Sequence, residues 1–329
     1  MEDTKKTKWR WGVNRWFVLL FIILGLIGAS FFPPIRPHIQ LPAEVLSKNP
    51  ILSLPFIGDI YLTNTLIALL LVDLILVGII LAVRNAIKRA ETKDDLVPQG
   101  ISGAIEAILE MIYNLTEQTA GSKWAKTIFP YFATITLVVL FANWMELIPG
   151  VDSIGLWHEA SHGIEGFSEL SITDGIKAMV KPAAEEHGYN IIPFVRVVST
   201  DLNFTVALAL ISVIMTQVIG VRALGMGYFK KFWNVKTFFS KPIFGFIDWA
   251  VGLLEVISEI SKILSFSFRL FGNIFAGMVM RFVIGSLVPV FAQSIFLMLE
   301  FFVGLIQAVV FGMLTMVFMA QATQGHGEH

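Results

Sequence analysis

The chain has 329 residues, 55% of them hydrophobic and only 15% charged, with a formal net charge of −1 and a mean hydropathy of +0.73. A soluble protein of this length would need more charge on its surface, whereas apolar runs near or above the roughly 18 residues that signal a bilayer span recur along the chain. The absence of cysteine excludes disulfides, zinc–thiolate sites and thiol catalysis, and continuous rather than alternating apolar runs argue against a β-barrel.

The first apolar segment, 16–32 (WFVLLFIILGLIGASFF), follows a basic start and is broken by PPIRP. Its shape, with small residues at IGAS, also fits a signal peptide. Residues 1–59 form a basic N-terminus, an extra membrane helix and an outer linker, set apart from a main domain over 60–329. The next span, 60–83, exits through Arg84, Lys88, Arg89 and Lys93. Residues 99–120 alternate apolar and acidic positions at helical spacing, which predicts an amphipathic helix near the membrane surface.

A third span, 127–148, ends at NWMELIPG and gives way to a polar outer insert at about 149–195. Before the fourth span, 202–222, Asp201 and Asn203 suit either a helix N-cap or a channel-lining role. The last two apolar stretches cover about 243–285 and 287–322, and the first exceeds one perpendicular span, so it must tilt, bend or lie partly along the membrane. The expected fold class is an all-α integral membrane protein with about six membrane segments, the last two forming a long tilted helical hairpin. Trp9, Trp11, Trp16, Trp144, Trp157, Trp233 and Trp249 suit interfacial belts.

Basic residues set the orientation. With a cytoplasmic N-terminus and alternating segments, the inner pieces 1–15, 84–126 and 223–241 hold fifteen Lys/Arg, against five in the outer pieces 33–59 and 146–200. That asymmetry obeys the positive-inside rule and places both termini in the cytoplasm.

Arg269 stands inside the apolar stretch SFSFRLFGNIFAG. Even the low scale puts a charge at mid-bilayer at about 2.5–3.5 kcal/mol. On a helix advancing about 100° per residue, Glu255, Ser258, Lys262 and Asn273 fall within about 40° of Arg269, with Glu259 off to the side. On the final helix Glu300, Gly304 and Gln307 share a face, with Gln293 and Gln321 near it. Two such stripes packed together make a buried polar seam, which either pairs internally to hold the bundle or lines an ion or substrate path. Asp73 in the second span is either a packed polar group or a channel residue. Arg196 marks the outer interface, and Arg281 reads as a cation that snorkels or pairs near a helix end.

The sequence resembles subunit a of the membrane sector of F-type ATP synthases. SFRLFGNIFAG looks like that family's arginine motif and GLIQAVVFGMLTMVFMA resembles its last helix, while TDLNFTVALAL, FANWMELIPG and the terminal ATQGHGEH also fit, in the family order. The resemblance implies a stator for proton flow beside a ring of c subunits, with two aqueous half-channels separated by an essential arginine, Arg269. It implies that Asn273, Gln307 and Glu300 line the outer half-channel, that Glu146 lies near its mouth, and that Glu255, Ser258 and Glu259 serve the cytoplasmic one. Where many relatives carry an acidic or histidine residue five positions after the motif Asn, this chain has Met278. The partners implied are the c-subunit ring, peripheral-stalk b-type subunits, the remaining synthase subunits and membrane lipid, in a bacterial plasma membrane. No nucleic acid partner and no cofactor are expected, and no G-x-x-x-x-G-K-[ST] occurs, so nucleotide chemistry lies outside this chain.

A rival motif sits in the insert. WHEASHG contains H-E-x-x-H, and on a helix His158 and His162 would face the same way to bind zinc, with Glu159 as general base. The alternative is therefore a membrane zinc metallopeptidase, although Gly155 and Gly163 flank the motif. A self-contained secondary transporter predicts paired repeats, and none is evident in the sequence.

Overall fold

The computed structural model describes residues 11–31, 42–47, 49–55, 58–92, 101–148, 151, 154–159, 167–173, 176–182, 189–232, 242–287 and 291–324. Its helices are α1 (Trp11–Phe31), α2 (Asn64–Thr92), α3 (Ile101–Trp144), α4 (Leu202–Leu224), α5 (Pro242–Leu287) and α6 (Phe291–Thr323). Among the described residues, five stretches are long and apolar enough to cross a membrane: Asn64–Asn85, Gly103–Leu147, Leu202–Phe229, Trp249–Gly285 and Gln293–Thr323. The first expected segment is helical as α1, and its apolar part, Arg15–Ile27, is shorter than these five. The all-α membrane class therefore holds for the spans.

Local chemistry explains where the helices begin and break. Thr63 caps α2, its hydroxyl accepting from the Leu66 N–H at 3.3 Å. Asp201 caps α4, its carboxylate accepting from the Asn203 N–H at 2.9 Å. Gly225 ends α4 at φ 62°, a conformation that glycine adopts without a side-chain clash. Within α3, Gly121 has φ 76° and ψ 158°, so the amphipathic helix and the third span meet at a sharp non-helical joint. Pro130 lies inside the second part, where it offers no N–H to the helix ladder.

The chain divides into two compact units. The larger comprises Gln40–Ile154, Pro193–Phe275 and Phe301–His329. Its main core gathers Ile135 and Val139 of α3, Leu208 and Ala209 of α4, Phe266, Leu270 and Ile274 of α5, and Ala308 and Phe311 of α6. Phe266 stacks on Phe318 at 5.6 Å and tilts against Phe311 at 5.2 Å. A Cβ on Gly312 would collide with the Thr136 hydroxyl and meet the Phe132 ring at 2.9 Å, so α6 approaches α3 closely only because that position is glycine. Before α2, β1 (Leu52–Leu54) and β2 (Gly58–Ile60) form an antiparallel hairpin with Leu52 opposite Ile60.

The smaller unit comprises Met1–Ile39, Gly155–Ile192 and Ala276–Glu300. The polar insert contains β-structure: β3 (Gly155–Glu159), β4 (Phe167–Thr173), β5 (Ile176–Pro182) and β6 (Tyr189–Pro193) join in the order β3-β6-β4-β5. β4 and β5 pair antiparallel from Phe167 opposite Pro182 to Thr173 opposite Ile176, with two register shifts. In the same unit the end of α5 meets the start of α6, with Gly277 against Glu300 and Gly285 against Gln293.

Candidate functional site: charges within the spans

α5 has 46 residues and is about 70 Å long at 1.5 Å per residue, more than twice the ~30 Å hydrocarbon core. Along it Glu259 is buried, Glu255 and Lys262 are half-buried, and Ser258, Arg269 and Asn273 are exposed in the isolated chain. Exposed Val251, Leu254 and Phe268 lie along the same uncovered side of the helix or next to it. Arg269 therefore stands at the edge of an open apolar face. Its guanidinium donates to the Ser265 hydroxyl at 3.3 Å, and among the described residues no carboxylate lies within ion-pair distance.

Glu259 behaves differently. The helical wheel sets it to one side of Arg269, and the structure shows that this side turns inward. Its Oε1 receives the Lys262 ammonium at 2.9 Å, and Lys262 lies 4.6 Å from the centre of the Phe318 ring on α6. The pair is nearly covered, and the aromatic face adds a cation–π contact. Lys262 thus leaves the line of polar groups around Arg269.

At one end of the larger unit a polar cluster joins several elements. Glu146 is buried on the short 3-10 turn Met145–Leu147 that follows α3. Its neighbour Asn143 accepts from the Ser199 hydroxyl at 2.6 Å and donates to the Gly304 carbonyl of α6 at 3.1 Å. Buried Arg196 donates to the Thr200 hydroxyl and to the Pro42 carbonyl, each at 3.2 Å. The Thr65 hydroxyl donates to Asp201 at 2.9 Å, and Asn64 donates to the Glu44 carboxylate at 3.0 Å. Asp201 is thus a cap and also a bridge to α2. Sequence reasoning did not single out Asn143, Ser199, Glu44 or Asn64. Their signal was weak, since small polar residues at helix ends usually serve as caps.

On α6, Gln307 is half-buried. Glu300 lies in the smaller unit, where Arg281 of α5 brings its Nε to 3.7 Å from Glu300 Oε2. Of the two readings offered for Arg281, pairing is the one observed. Asp73 sits on an exposed face of α2 between exposed Leu70, Leu74 and Val77.

In the peptidase alternative, His158 and Glu159 end strand β3, so the motif begins on extended backbone rather than on a helical turn. His162 lies outside the described residues. Among the described residues no group of three or more His, Cys, Asp or Glu could hold a metal ion.

Long apolar helices define a polytopic helical membrane protein, and charges and amides inside their spans are the residues that such proteins most often use for function. The family model described as ATP synthase A chain matches residues 61–320. The ATP synthase subunit a of Campylobacter concisus (strain 13826) is 30% identical over 187 residues, covering 56% of this chain and 60% of that protein. That of Gloeobacter violaceus is 29% identical over 219 residues, 67% and 65% of the two chains, and that of Streptococcus pneumoniae (strain CGSP14) is 28% identical over 236 residues, 71% and 75%. The chain spans less than two thirds of the length of the Campylobacter, Nitratiruptor and Gloeobacter relatives it matches. With the family model matched over most of its length, the chain belongs to the ATP synthase A chain family.

Proposed function

We propose that this chain is the proton-translocating stator subunit of a rotary F-type ATP synthase, which opens two aqueous half-channels onto a ring of c subunits and keeps them apart with Arg269. The observation that carries the reading is the open position of Arg269. Its guanidinium faces out of the chain, so the countercharge it needs comes from a partner.

An arginine stays protonated whatever approaches it, and an opposite charge within ~4–6 Å lowers a carboxyl pKa by about 1–3 units. A ring carboxyl arriving at Arg269 therefore gives up its proton to the exit path, and the same cation stops protons from passing directly between the half-channels. The drive available is about 2.3 kcal/mol per charge per 100 mV.

In this reading Asn273, Gln307 and Glu300 line the outer half-channel, with Glu146 near its mouth. Glu255, Ser258 and Glu259 serve the cytoplasmic one. The buried polar cluster around Glu146 and Asn143 supports a hydrated outer approach. Glu255 and Ser258, less covered than Glu259, suit an inner mouth. Residues 60–329 carry this activity, the c-ring and peripheral-stalk b-type subunits are its neighbours, and ATP chemistry takes place on the remaining subunits. The positive-inside asymmetry supports cytoplasmic termini in a bacterial plasma membrane.

The test is ATP-driven acidification of inverted membrane vesicles carrying wild type, Arg269→Ala or Arg269→Lys, with assembly followed by blotting. Both variants are expected to assemble and to lose pumping. An assembled Arg269→Ala complex that pumps at the wild-type rate would overturn the reading.

A further inference from the structure

The proposed path has no use for one buried cation. Arg281 sits in the spanning part of α5 with its side chain 6% exposed, facing the Glu300 side chain, 9% exposed, across a 3.7 Å Nε–Oε2 separation. Two glycines frame this contact. A Cβ on Gly277 would lie 3.7 Å from Glu300 Oε1 and 3.8 Å from its Cγ, while a Cβ on Gly285 would lie 3.6 Å from the Gln293 side chain. Residues 277, 281 and 285 are successive turns of one helix face. A Cβ at either glycine would make only ordinary contact across the seam, and the guanidinium lies at the level of the carboxylate.

Packing alone does not call for this arrangement. An apolar residue at 281 facing an apolar residue at 300 would close the seam without taking two charges out of water. Met278, beside Gly277, is already buried and apolar, so α5 can supply such a surface. The charge at 281 is explained by the carboxylate it faces. A guanidinium cannot give up its proton, so it compensates Glu300 without competing as a proton carrier.

We propose that Arg281 is a positioning residue for proton passage at Glu300: it balances that carboxylate inside the membrane and fixes where its oxygens stand, a role that rests on the reading of Glu300 as part of the outer half-channel. Arg281 does not touch the ring and carries no proton itself.

The experiment reads two quantities separately in inverted vesicles stripped of the soluble sector. One is the amount of assembled membrane complex, and the other is proton conduction per complex. Arg281→Gln is expected to lower conduction per complex about tenfold or more, and Arg281→Lys to restore most of it, as for other residues that act through a neighbour. Wild-type conduction per complex in Arg281→Gln would show that the pair only staples the helices, and the inference falls. If Arg281→Gln leaves too little complex, Met278→Lys combined with Arg281→Gln supplies a cation one turn earlier. Poor conduction in that assembled variant supports a requirement for position, whereas wild-type conduction overturns it. Glu300→Gln keeps the two readings apart. Full conduction in Glu300→Gln removes Glu300 from the outer path, whereas blocked Glu300→Gln beside normal Arg281 variants removes the Arg281 inference alone.

Discussion

Asn143 donates its side-chain amide to the Gly304 carbonyl at 3.1 Å, and the two helices come this close because residue 304 has no side chain. A Cβ there would lie 3.1 Å from Asn143 Cβ and 3.4 Å from Trp144 Cδ1. Gly304→Ala is therefore an overpacking change, expected to cost about 1–3 kcal/mol. Thermal melting of the detergent-solubilised complex checks it, and a wild-type melting curve would show that the helices yield freely here.

Gly121 joins the surface helix to the third span at φ 76° and ψ 158°, a backbone region where other residues are strained by about 1–3 kcal/mol. A Cβ would meet nothing within 4 Å, so the effect of Gly121→Ala is conformational rather than steric. The expected outcome is a less stable complex with faster proteolysis near the joint. Gly121→Asn should be no milder, because asparagine tolerates positive φ only with ψ near +47°, far from the 158° found here. Wild-type stability in both variants would show that the joint relaxes to another backbone conformation.

Asp201 serves the Asn203 N–H and the Thr65 hydroxyl together. Asp201→Ala removes the cap and the bridge, at about 1–2 kcal/mol for the cap alone. Asp201→Asn keeps an accepting oxygen for either bond and should retain most of that stability. Measuring both variants also tests the channel-lining reading. Reduced proton conduction in a stable Asp201→Asn complex would mean that the acid itself matters.

Glu259 and Lys262 form a largely covered pair at 2.9 Å, with side chains 11% and 20% exposed. Breaking one partner strands the other, whereas replacing both by apolar residues removes the need for pairing. Glu259→Leu and Lys262→Met should each destabilise the complex by about 1–3 kcal/mol, and the double variant by less than their sum. Strict additivity in that cycle would mean that the two charges do not interact.

The spans were legible because a bilayer demands long apolar runs, and α2, α4, α5 and α6 fall close to where those runs lie. The surface helix and the third span were read as two pieces, and the non-helical joint at Gly121 within α3 separates them. The sheet of the insert was less legible. Only the Asp174–Gly175 dipeptide between β4 and β5, a favoured tight-turn pair, pointed to a hairpin there. A wheel of one helix gives angles and cannot say which side meets a neighbour. For that reason Lys262 shared a polar stripe with Arg269 in the sequence, with Glu259 set to one side, although the fold pairs Lys262 with Glu259 towards Phe318 and leaves Arg269 outside. Arg281 was ambiguous for the same reason, since its partner lies on another helix.

The pairing pattern has an electrical consequence. Glu259 with Lys262, and Arg281 with Glu300, are short dipoles whose fields fade quickly with distance. Arg269, by contrast, is a monopole whose potential falls only inversely with separation. Glu255 lies fourteen residues away, about 21 Å along the helix axis. An anion travelling past α5 within the hydrocarbon layer thus meets one deep electrostatic well rather than a ladder of comparable ones. On the proposed stator reading, a single well would give the ring of c subunits one defined resting angle at each step.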